Sequence, residues 1–304
     1  MPELPEVETI RRGLAPMLEG ARIEEVRLNR PDLRFPFPKD FAASLSGRTI
    51  ISTGRRAKYL LFELDNGLVW LSHLGMTGNF RFSAAALSEP SRYRQPAGNG
   101  KHEHVQLALS HPSNGDMVLV YSDPRRFGFM TTYKDASQCP CLRGLGPEPL
   151  GNELTAPGLA RRLFGRRGPI KTALLDQHLV AGLGNIYVCE ALHRARISPL
   201  CPAGLLAGED GLPRPELDAL VRAIREVLTE ALIAGGSTLR DFRNAQGESG
   251  YFQHRFAVYD REGEPCVRPG CGGRVERLVQ SGRSTFHCPV CQDTGAASQG
   301  AESS

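Results

Sequence analysis

The chain has 304 residues, of which 40% are hydrophobic and 23% charged, and its formal net charge is +4. That length accommodates two domains around a sizeable core, and a charge this small is no argument by itself for a nucleic-acid partner. No apolar run reaches membrane-spanning length, and the acidic start lacks the basic and apolar regions of a signal peptide, so the expectation is a cytoplasmic protein without a membrane partner.

The first ten residues, Met1-Pro-Glu-Leu-Pro-Glu-Val-Glu-Thr-Ile10, put chemistry where most chains fray. Removal of Met1, expected ahead of a residue as small as proline, leaves a secondary amine at Pro2. An α-amino group titrates near pH 8, so about a tenth is neutral at pH 7, against under about a thousandth of an ordinary lysine. Attack of such an amine on an aldehyde-like carbon gives an iminium that cannot lose its charge by dropping an N–H proton. Glu3, one residue away, is placed to act as acid or base at the same centre. The plainer alternative is a helix start, with Pro5 in the first turn and Glu6 and Glu8 facing its positive end.

From Pro5 to Leu18, the residues Val7, Ile10, Leu14, Met17 and Leu18 recur at helical spacing, and Gly20 closes the segment. Strand patterns follow at 21–28, 48–53, 59–64 and 68–74, the last two around the turn Asp65-Asn66-Gly67, and again at 103–110, 116–121 and 127–133. Many short strands at this spacing predict a sandwich or a barrel. Residues 83–100, rich in Ala, Ser, Pro and Gly, are expected to form a mobile loop, and 135–152 an interdomain linker. Beyond it the period turns helical, at 156–164, 169–176, 185–195 and 215–234, before loop composition returns at 235–253. After Cys291 comes a Ser/Ala/Gln/Gly tail expected to be disordered.

Only five of the 37 basic residues are lysines: Lys39, Lys58, Lys101, Lys134 and Lys171. A GC-rich genome accounts for the bias, but a lysine retained in such a chain can be needed for its dissociable proton, and Lys58 stands out. Cys266-x4-Cys271-x16-Cys288-x2-Cys291, with Gly272-Gly273 and Ser281-Gly282 supplying turns, has the spacing of a structural tetrahedral zinc site on a hairpin. A disulfide framework is the alternative. Arg283 is the exposed cation near the hairpin tip, which a solvated turn would also explain. Cys139, Cys141, Cys189 and Cys201 lack ligand spacing and are read as buried or incidental.

Gly182-Leu183-Gly184-Asn185-Ile186 opens a helix with backbone N–H groups and an Asn at its amino end, a phosphate-binding geometry or simply a tight interhelical turn. Arg161, Arg162, Arg166, Arg167 and Lys171 just upstream favour a nucleic-acid backbone. Arg55, Arg56 and Lys58, and Asp123-Pro-Arg-Arg-Phe-Gly128, add basic and aromatic residues at strand ends. A Phe beside an Arg at a β-turn suits insertion into a duplex, although a solvated loop reads equally well.

These pieces resemble one family. The opening Pro-Glu-Leu-Pro-Glu-Val-Glu-Thr, Arg55-Arg56-Ala57-Lys58-Tyr59, His73-Leu74-Gly75-Met76, Lys101-His102-Glu103-His104, Asp123-Pro-Arg-Arg-Phe-Gly128, Leu145-Gly-Pro-Glu-Pro149, Gly182-Leu-Gly-Asn-Ile186, Gly250-Tyr-Phe252 and the four-cysteine hairpin occur in this order in bacterial formamidopyrimidine-DNA glycosylases. The resemblance runs from residue 1 to 292. It implies an α+β multidomain protein: an N-terminal β-sandwich catalytic domain with a leading helix (1–134), a linker (135–152), a helix-two-turn-helix DNA-binding domain (153–263), a zinc-finger hairpin (264–292) and a disordered tail (293–304).

The implied activity is excision of oxidised purines from duplex DNA followed by strand cleavage, with duplex DNA carrying oxidised purines or abasic sites as partner. One structural Zn2+ is the implied cofactor, on Cys266, Cys271, Cys288 and Cys291, and the enzyme is expected to act as a monomer. By motif, Pro2 attacks C1′, Glu3 acts as acid and base around the sugar, and Glu6 helps hold the amine and a water. Lys58 matches the lysine assigned to proton transfer during elimination, and Arg283 the arginine that grips the lesion phosphate. Met76, Arg125 and Phe127 match the trio that fills the vacated stack, while His102, Arg125, Arg166 and Asn185 match backbone contacts. The loop near 236–253 is expected to cover the flipped base.

Leu4 points away from the related endonuclease VIII branch, which prefers oxidised pyrimidines and typically has Gly there. Two features depart from the family: the first cysteine pair is spaced by four residues where two is more frequent, and position 166 is Arg where Lys is common. The rivals are a pyrimidine-preferring enzyme of that branch and an inactive zinc-hairpin DNA-binding protein, the latter disfavoured because Pro2, Glu3 and Lys58 are all present.

Overall fold

A computed structural model of the chain describes residues 2–83, 100–208, 210–237 and 251–293. Two compact units emerge, one made of Met1–Arg143 with Ala234–Tyr251, the other of Gly144–Ile233 with Phe252–Ser304. The first is therefore discontinuous in sequence. Met1, most of the expected loop at 83–100, most of the segment near 236–253 and the tail after 293 lie outside the described residues.

The first unit opens with α1, Leu4–Leu18, whose Leu4, Val7, Ile10, Leu14 and Leu18 are all buried. This is the apolar stripe that a 3.6-residue period predicts. The helix stops where Glu19 turns extended and Gly20 takes φ +91°. Its polar side is tied to the next sheet: the Arg11 guanidinium donates to the Thr53 carbonyl (3.3 Å), and Thr53 donates to Glu19 through N–H (2.9 Å) and Oγ1 (2.7 Å).

Two antiparallel four-stranded sheets share one apolar core with α1. One has the order β1-β6-β7-β5 (Arg22–Leu28, Glu103–His111, Gly115–Ser122, Asn79–Ser83), the other β2-β3-β4-β8 (Ile50–Arg56, Tyr59–Leu64, Val69–His73, Phe129–Tyr133). Side chains interdigitate between them: Phe62 and Trp70 are cross-strand partners stacked at 4.3 Å, and Phe80 of the opposite sheet meets both edge-on at 6.2 and 5.9 Å. Closure of two sheets on a common core is a sandwich, as the family resemblance implied.

Among the described α-helices and strands, two escaped the sequence reading, a one-turn helix α2 (Phe41–Leu45) and the strand β5. Both are only five residues long, too short for periodicity to register. The last strand begins at Phe129 and not at 127, because residues 123–128 form a turn described below.

In the second unit Thr155 caps α3 (Ala156–Leu163), its Oγ1 accepting from the Gly158 N–H at 3.1 Å. Helices α4 (Ile170–Leu174) and α5 (Asn185–Ala195) are joined by a turn that the Gln177 amide staples, donating to the Leu175 and Leu183 carbonyls and accepting from the Gly182 N–H. The long helix α6 (Pro215–Ile233) buries Leu217, Leu220, Val221, Ile224, Val227, Leu228 and Ala231 on the face expected of it. A hairpin, β9 (Glu276–Gln280) and β10 (Arg283–His287), ends the described chain. No helix among the described residues is long and apolar enough to cross a membrane.

Candidate active site and cysteine cluster

The first described residues are enclosed. Pro2 and Glu3 are buried, Glu3 to 3% exposure. Glu6 explains how they are held: its Oε2 accepts the Glu3 N–H at 2.9 Å, the returning half of a capping box. Its Oε1 accepts both the N–H (2.8 Å) and the hydroxyl (3.0 Å) of Ser237, 231 residues away. The close approach needs Gly236, where φ is +83° and a Cβ would lie 3.1 Å from Glu6 Oε1. Glu6 is thus a latch that fixes the backbone beside Pro2.

Lys58 is also buried, at 7% exposure, in the two-residue turn between β2 and β3. Its neighbour Ala57 has φ +53°, a left-handed conformation that costs a non-glycine residue about 1 kcal/mol or more. Arg55 supports the turn by donating to the Ala57 carbonyl at 2.7 Å, while its Nε lies 3.3 Å from Glu8 on α1. Burial pushes the Glu8 carboxyl up, but hydrogen bonds from Arg11 and Arg12 and the Arg55 charge outweigh it and hold it below its ordinary value. The helix behind Pro2 and the turn bearing Lys58 are thereby joined through one ionised carboxylate.

On the next strand His73 pairs with Tyr59. Burial, then the charges of Lys58 and Arg34, pull the imidazole down to about 4, so it is neutral at pH 7. Its Nδ1 accepts the Gly75 N–H at 3.1 Å, which places the ring proton on Nε2.

Met76, distant in sequence from Arg125 and Phe127, lines one cavity with them and with Arg34 and His73. Met76 and Phe127 remain 37% and 42% exposed, and the Arg125 guanidinium sits 4.8 Å from the Phe127 ring centroid. The fully buried Asp123 builds this arrangement. Its carboxylate accepts from the Gly128 N–H (2.8 Å), Thr77 Oγ1 (2.5 Å) and the Tyr121 hydroxyl (3.4 Å), and its carbonyl from the Arg126 N–H (3.1 Å). Gly75 must be glycine for the two loops to meet, since a Cβ there would fall 2.3 Å from the Gly128 nitrogen. His102 is exposed beside this turn, its carbonyl accepting the Asp123 N–H at 3.0 Å.

In the second unit, Arg166 is exposed, donating to the Arg162 carbonyl (2.9 Å) with Asp176 at 3.9 Å. Asn185 opens α5, but its amide donates to the Ser284 carbonyl at 2.9 Å, while its Oδ1 is buried without a hydrogen-bond partner. Lys171, read from sequence as one of a basic surface cluster, is instead fully buried. It donates to Thr285 Oγ1 (2.6 Å) and the Ser284 carbonyl (3.2 Å), and Thr285 in turn donates to Gln280 (2.9 Å). Both side chains anchor the strand that begins with Arg283. Ser281 and Gly282 take φ +48° and +72°, the pair of left-handed residues a tight two-residue hairpin turn requires, and Arg283 stands exposed just beyond.

The four cysteine sulfurs of Cys266, Cys271, Cys288 and Cys291 lie within 4.8 Å of one another, with 3.8 Å between the first and last and 3.6 Å between the middle two. Four sulfurs about 2.3 Å from a tetrahedral zinc are about 3.8 Å apart, so the cluster fits one structural Zn2+. His193 Nε2 lies 3.3 Å from Cys266 Sγ, and the buried Glu190 accepts the N–H groups of Ala257, Val258 and Tyr259 at 2.8–3.0 Å, fastening the hairpin's leading segment to α5.

Ser237 and Gly236 were not singled out from sequence, and Asp123 was quoted there only as the first residue of a basic, aromatic turn, with no role of its own. Asp123 had a legible signal, an Asp five residues before a Gly with Pro between, the composition of a side-chain-stapled turn. Ser237 had none, because its partner lies at the other end of the chain.

Three family profiles match in succession: "Formamidopyrimidine-DNA glycosylase N-terminal domain" over residues 1–130, "Formamidopyrimidine-DNA glycosylase H2TH domain" over 145–243, and "Zinc finger found in FPG and IleRS" over 263–294. Formamidopyrimidine-DNA glycosylase of Rhizobium leguminosarum bv. trifolii is 54% identical over 301 residues, and that of Beijerinckia indica subsp. indica 56% over 295. In each case the alignment covers 96% of this chain and 100% of the relative. Among solved structures, the MutM (Fpg) protein of Thermus thermophilus is 44% identical with a TM-score of 0.78, covering 96% of this chain and 98% of that one. The Lactococcus lactis Fpg in complex with an abasic site containing DNA is 34% identical with a TM-score of 0.81, covering 96% and 100%. With the profiles in register along the chain and the relatives matched over their full lengths, this chain belongs to the formamidopyrimidine-DNA glycosylase family.

Proposed function

We propose that this protein is a bifunctional base-excision enzyme, removing 8-oxoguanine and formamidopyrimidines from duplex DNA and then cutting the strand at the abasic site. The observation that carries the reading is the enclosed Pro2-Glu3 start, latched by Glu6 and joined through Glu8 and Arg55 to the turn that presents Lys58. A flexible amino terminus would have no use for three hydrogen bonds to one buried carboxylate.

With Met1 removed, the Pro2 nitrogen attacks C1′ of the damaged nucleotide and the oxidised base leaves with a proton, for which Glu3 is the donor. Ring opening gives an iminium between Pro2 and the sugar, which acidifies the C2′ proton. Two successive eliminations release the 3′ and then the 5′ phosphate, with Lys58 moving protons and Arg283 gripping the lesion phosphate. Met76, Arg125 and Phe127, gathered on one cavity, fill the gap the flipped base leaves, and His102, Arg166 and Asn185 contact the backbone. The Asn185 amide also donates to the Ser284 carbonyl, which ties the same residue to the hairpin strand. Zinc holds that hairpin in shape and takes no part in the bond changes. The protein acts in the cytoplasm, as a monomer.

A second reading concerns lesion range. The Lactococcus lactis relative has been solved with an oxidized pyrimidine containing DNA as well as with Fapy-dG, so oxidised pyrimidines are a secondary substrate class. Leu4, fully buried in the core, is the packing choice that marks the purine-preferring branch.

Borohydride reduction during reaction with duplex DNA carrying 8-oxoguanine opposite cytosine should trap a covalent complex through Pro2. Absence of the adduct with protein whose mature amino terminus is Pro2 refutes the mechanism. So does an adduct that persists in Pro2→Gly with its primary amine blocked. Competition between 8-oxoguanine and oxidised-pyrimidine duplexes ranks the two lesion classes.

A further inference from the structure

The segment Cys139-Pro140-Cys141 closes the first unit and has no part in the chemistry above. Its two sulfurs lie 3.0 Å apart, inside the contact distance of unbonded sulfurs. Cys139 is buried at 2% exposure, Cys141 is partly exposed and Pro140 is exposed. The turn that brings the thiols together is fixed on both sides. Asp135 caps a one-turn 3-10 helix at 136–138 by accepting the Ser137 N–H (2.8 Å), and the Cys139 carbonyl accepts the N–H groups of both Leu142 and Arg143 at 3.1 Å. Proline between the cysteines fixes one more backbone angle. The pair therefore needs little further ordering to bond.

We propose that Cys139 and Cys141 form an oxidisable dithiol that closes to an intramolecular disulfide on reaction with a hydroperoxide. Cys141, the accessible member, attacks the terminal peroxide oxygen; the O–O bond breaks, an alcohol or water leaves with a proton, and Cys141 becomes a sulfenic acid. The Cys139 sulfur then attacks the Cys141 sulfur, the S–O bond breaks and water departs. Two thiols lose two electrons and one peroxide is reduced.

The surroundings set the rate. Burial and the hydrogen bond with Cys139 push the Cys141 thiol up to about 12, and burial followed by the nearby cysteines pushes the Tyr59 and Tyr133 phenols to about 12 as well. The Cys141 thiol stays protonated at neutral pH, so it reacts with sustained oxidant instead of sensing brief pulses. Tyr59 directly follows Lys58, so the bond forms beside the strand that leaves the lysine's turn.

The test treats full-length, zinc-loaded protein with hydrogen peroxide, alkylates free thiols, and maps the peptide containing residues 139–141 by mass spectrometry. Closure shows as a loss of about 2 Da with both alkylation sites gone, restored by dithiothreitol. In Cys139→Ser the sulfenic acid at Cys141 has no resolving partner, and its capture by dimedone rises roughly tenfold or more over wild type. Independent over-oxidation of the two cysteines without the mass loss, or equal dimedone capture in both proteins, overturns the proposal. The wild-type map stands whether or not the variant folds.

Discussion

Replacing Glu6 by Gln keeps size and shape while reversing the hydrogen-bond character of one end of the latch. The carboxylate accepts from the Glu3 N–H on one oxygen and from the N–H and hydroxyl of Ser237 on the other. A carboxamide has one acceptor oxygen. Facing it toward Ser237 keeps two bonds but sets an NH2 group against the Glu3 N–H, which is left buried and unpartnered. Hydrogen bonds to a charged group contribute about 1.5–3 kcal/mol and neutral ones about 1, so losing one and weakening two removes about 3–4 kcal/mol from the latch. A loss of about 3 kcal/mol lowers the latching equilibrium constant roughly a hundredfold or more, at about 1.4 kcal/mol per factor of ten. The borohydride trapping rate on 8-oxoguanine duplex should fall by about that factor, since the nucleophile depends on placement. Equilibrium affinity for duplex containing a reduced abasic analogue should change by under about threefold, because phosphate contacts dominate it. Ser237→Ala, which removes only the hydroxyl, should sit between, with a loss of about tenfold. If Glu6→Gln folds normally and traps within about threefold of wild type, the latch does not position the amine and the reasoning fails.

Other consequences follow from the same packing. Gly75→Ala places a methyl 2.3 Å from the Gly128 nitrogen, so melting should show a destabilisation of about 2–3 kcal/mol, and fluorescence anisotropy a weaker hold on lesion duplex; an unchanged melt contradicts the close approach. His73, with its pKa drawn down to about 4, is neutral in both folded and unfolded chains above about pH 6.5. Between about 6.5 and 4 the unfolded chain binds the extra proton, so stability present at neutral pH is lost as pH falls through that window, and His73→Gln should flatten the slope measured by urea titration. Chelation of zinc should release one metal ion per chain and abolish duplex binding until zinc is restored; a chelated protein that keeps its hairpin amide protection and its affinity would show the cysteines to be self-supporting.

What the sequence made legible follows from how local each signal is. Periodicity found α1 and α6, alternation found most strands of the sandwich, and cysteine spacing found the zinc cluster, because each pattern is complete within a short stretch. Lys171 shows the limit. Its neighbours Ile170, Ala173 and Leu174 are buried, and Thr285 and Ser284, more than 110 positions later, supply the oxygens that make a buried ammonium tolerable. A run of arginines around it gave no hint of that. Asn185 likewise has a tie that its local sequence did not announce, from its amide to the Ser284 carbonyl on the hairpin strand. The trio Met76, Arg125 and Phe127 was named as a set from motif resemblance; that they share a cavity depends on the buried carboxylate of Asp123, which joins its own turn, through Tyr121 and Gly128, to Thr77 beside Met76.

The latch across the chain also sets an order of events in synthesis. Glu6 leaves the ribosome early, whereas Ser237 follows 231 residues later, a delay of about 10–50 s at about 5–20 residues per second. Throughout that interval the nascent first unit can pair its sheets, but its reactive amine has no partner to seat it. Fragments that end before Gly236 should therefore fold much of the sandwich and still lack a seated nucleophile, so seating of the amine comes late in synthesis, with only the cysteine hairpin and Arg283 among the parts needed for strand cleavage still to follow.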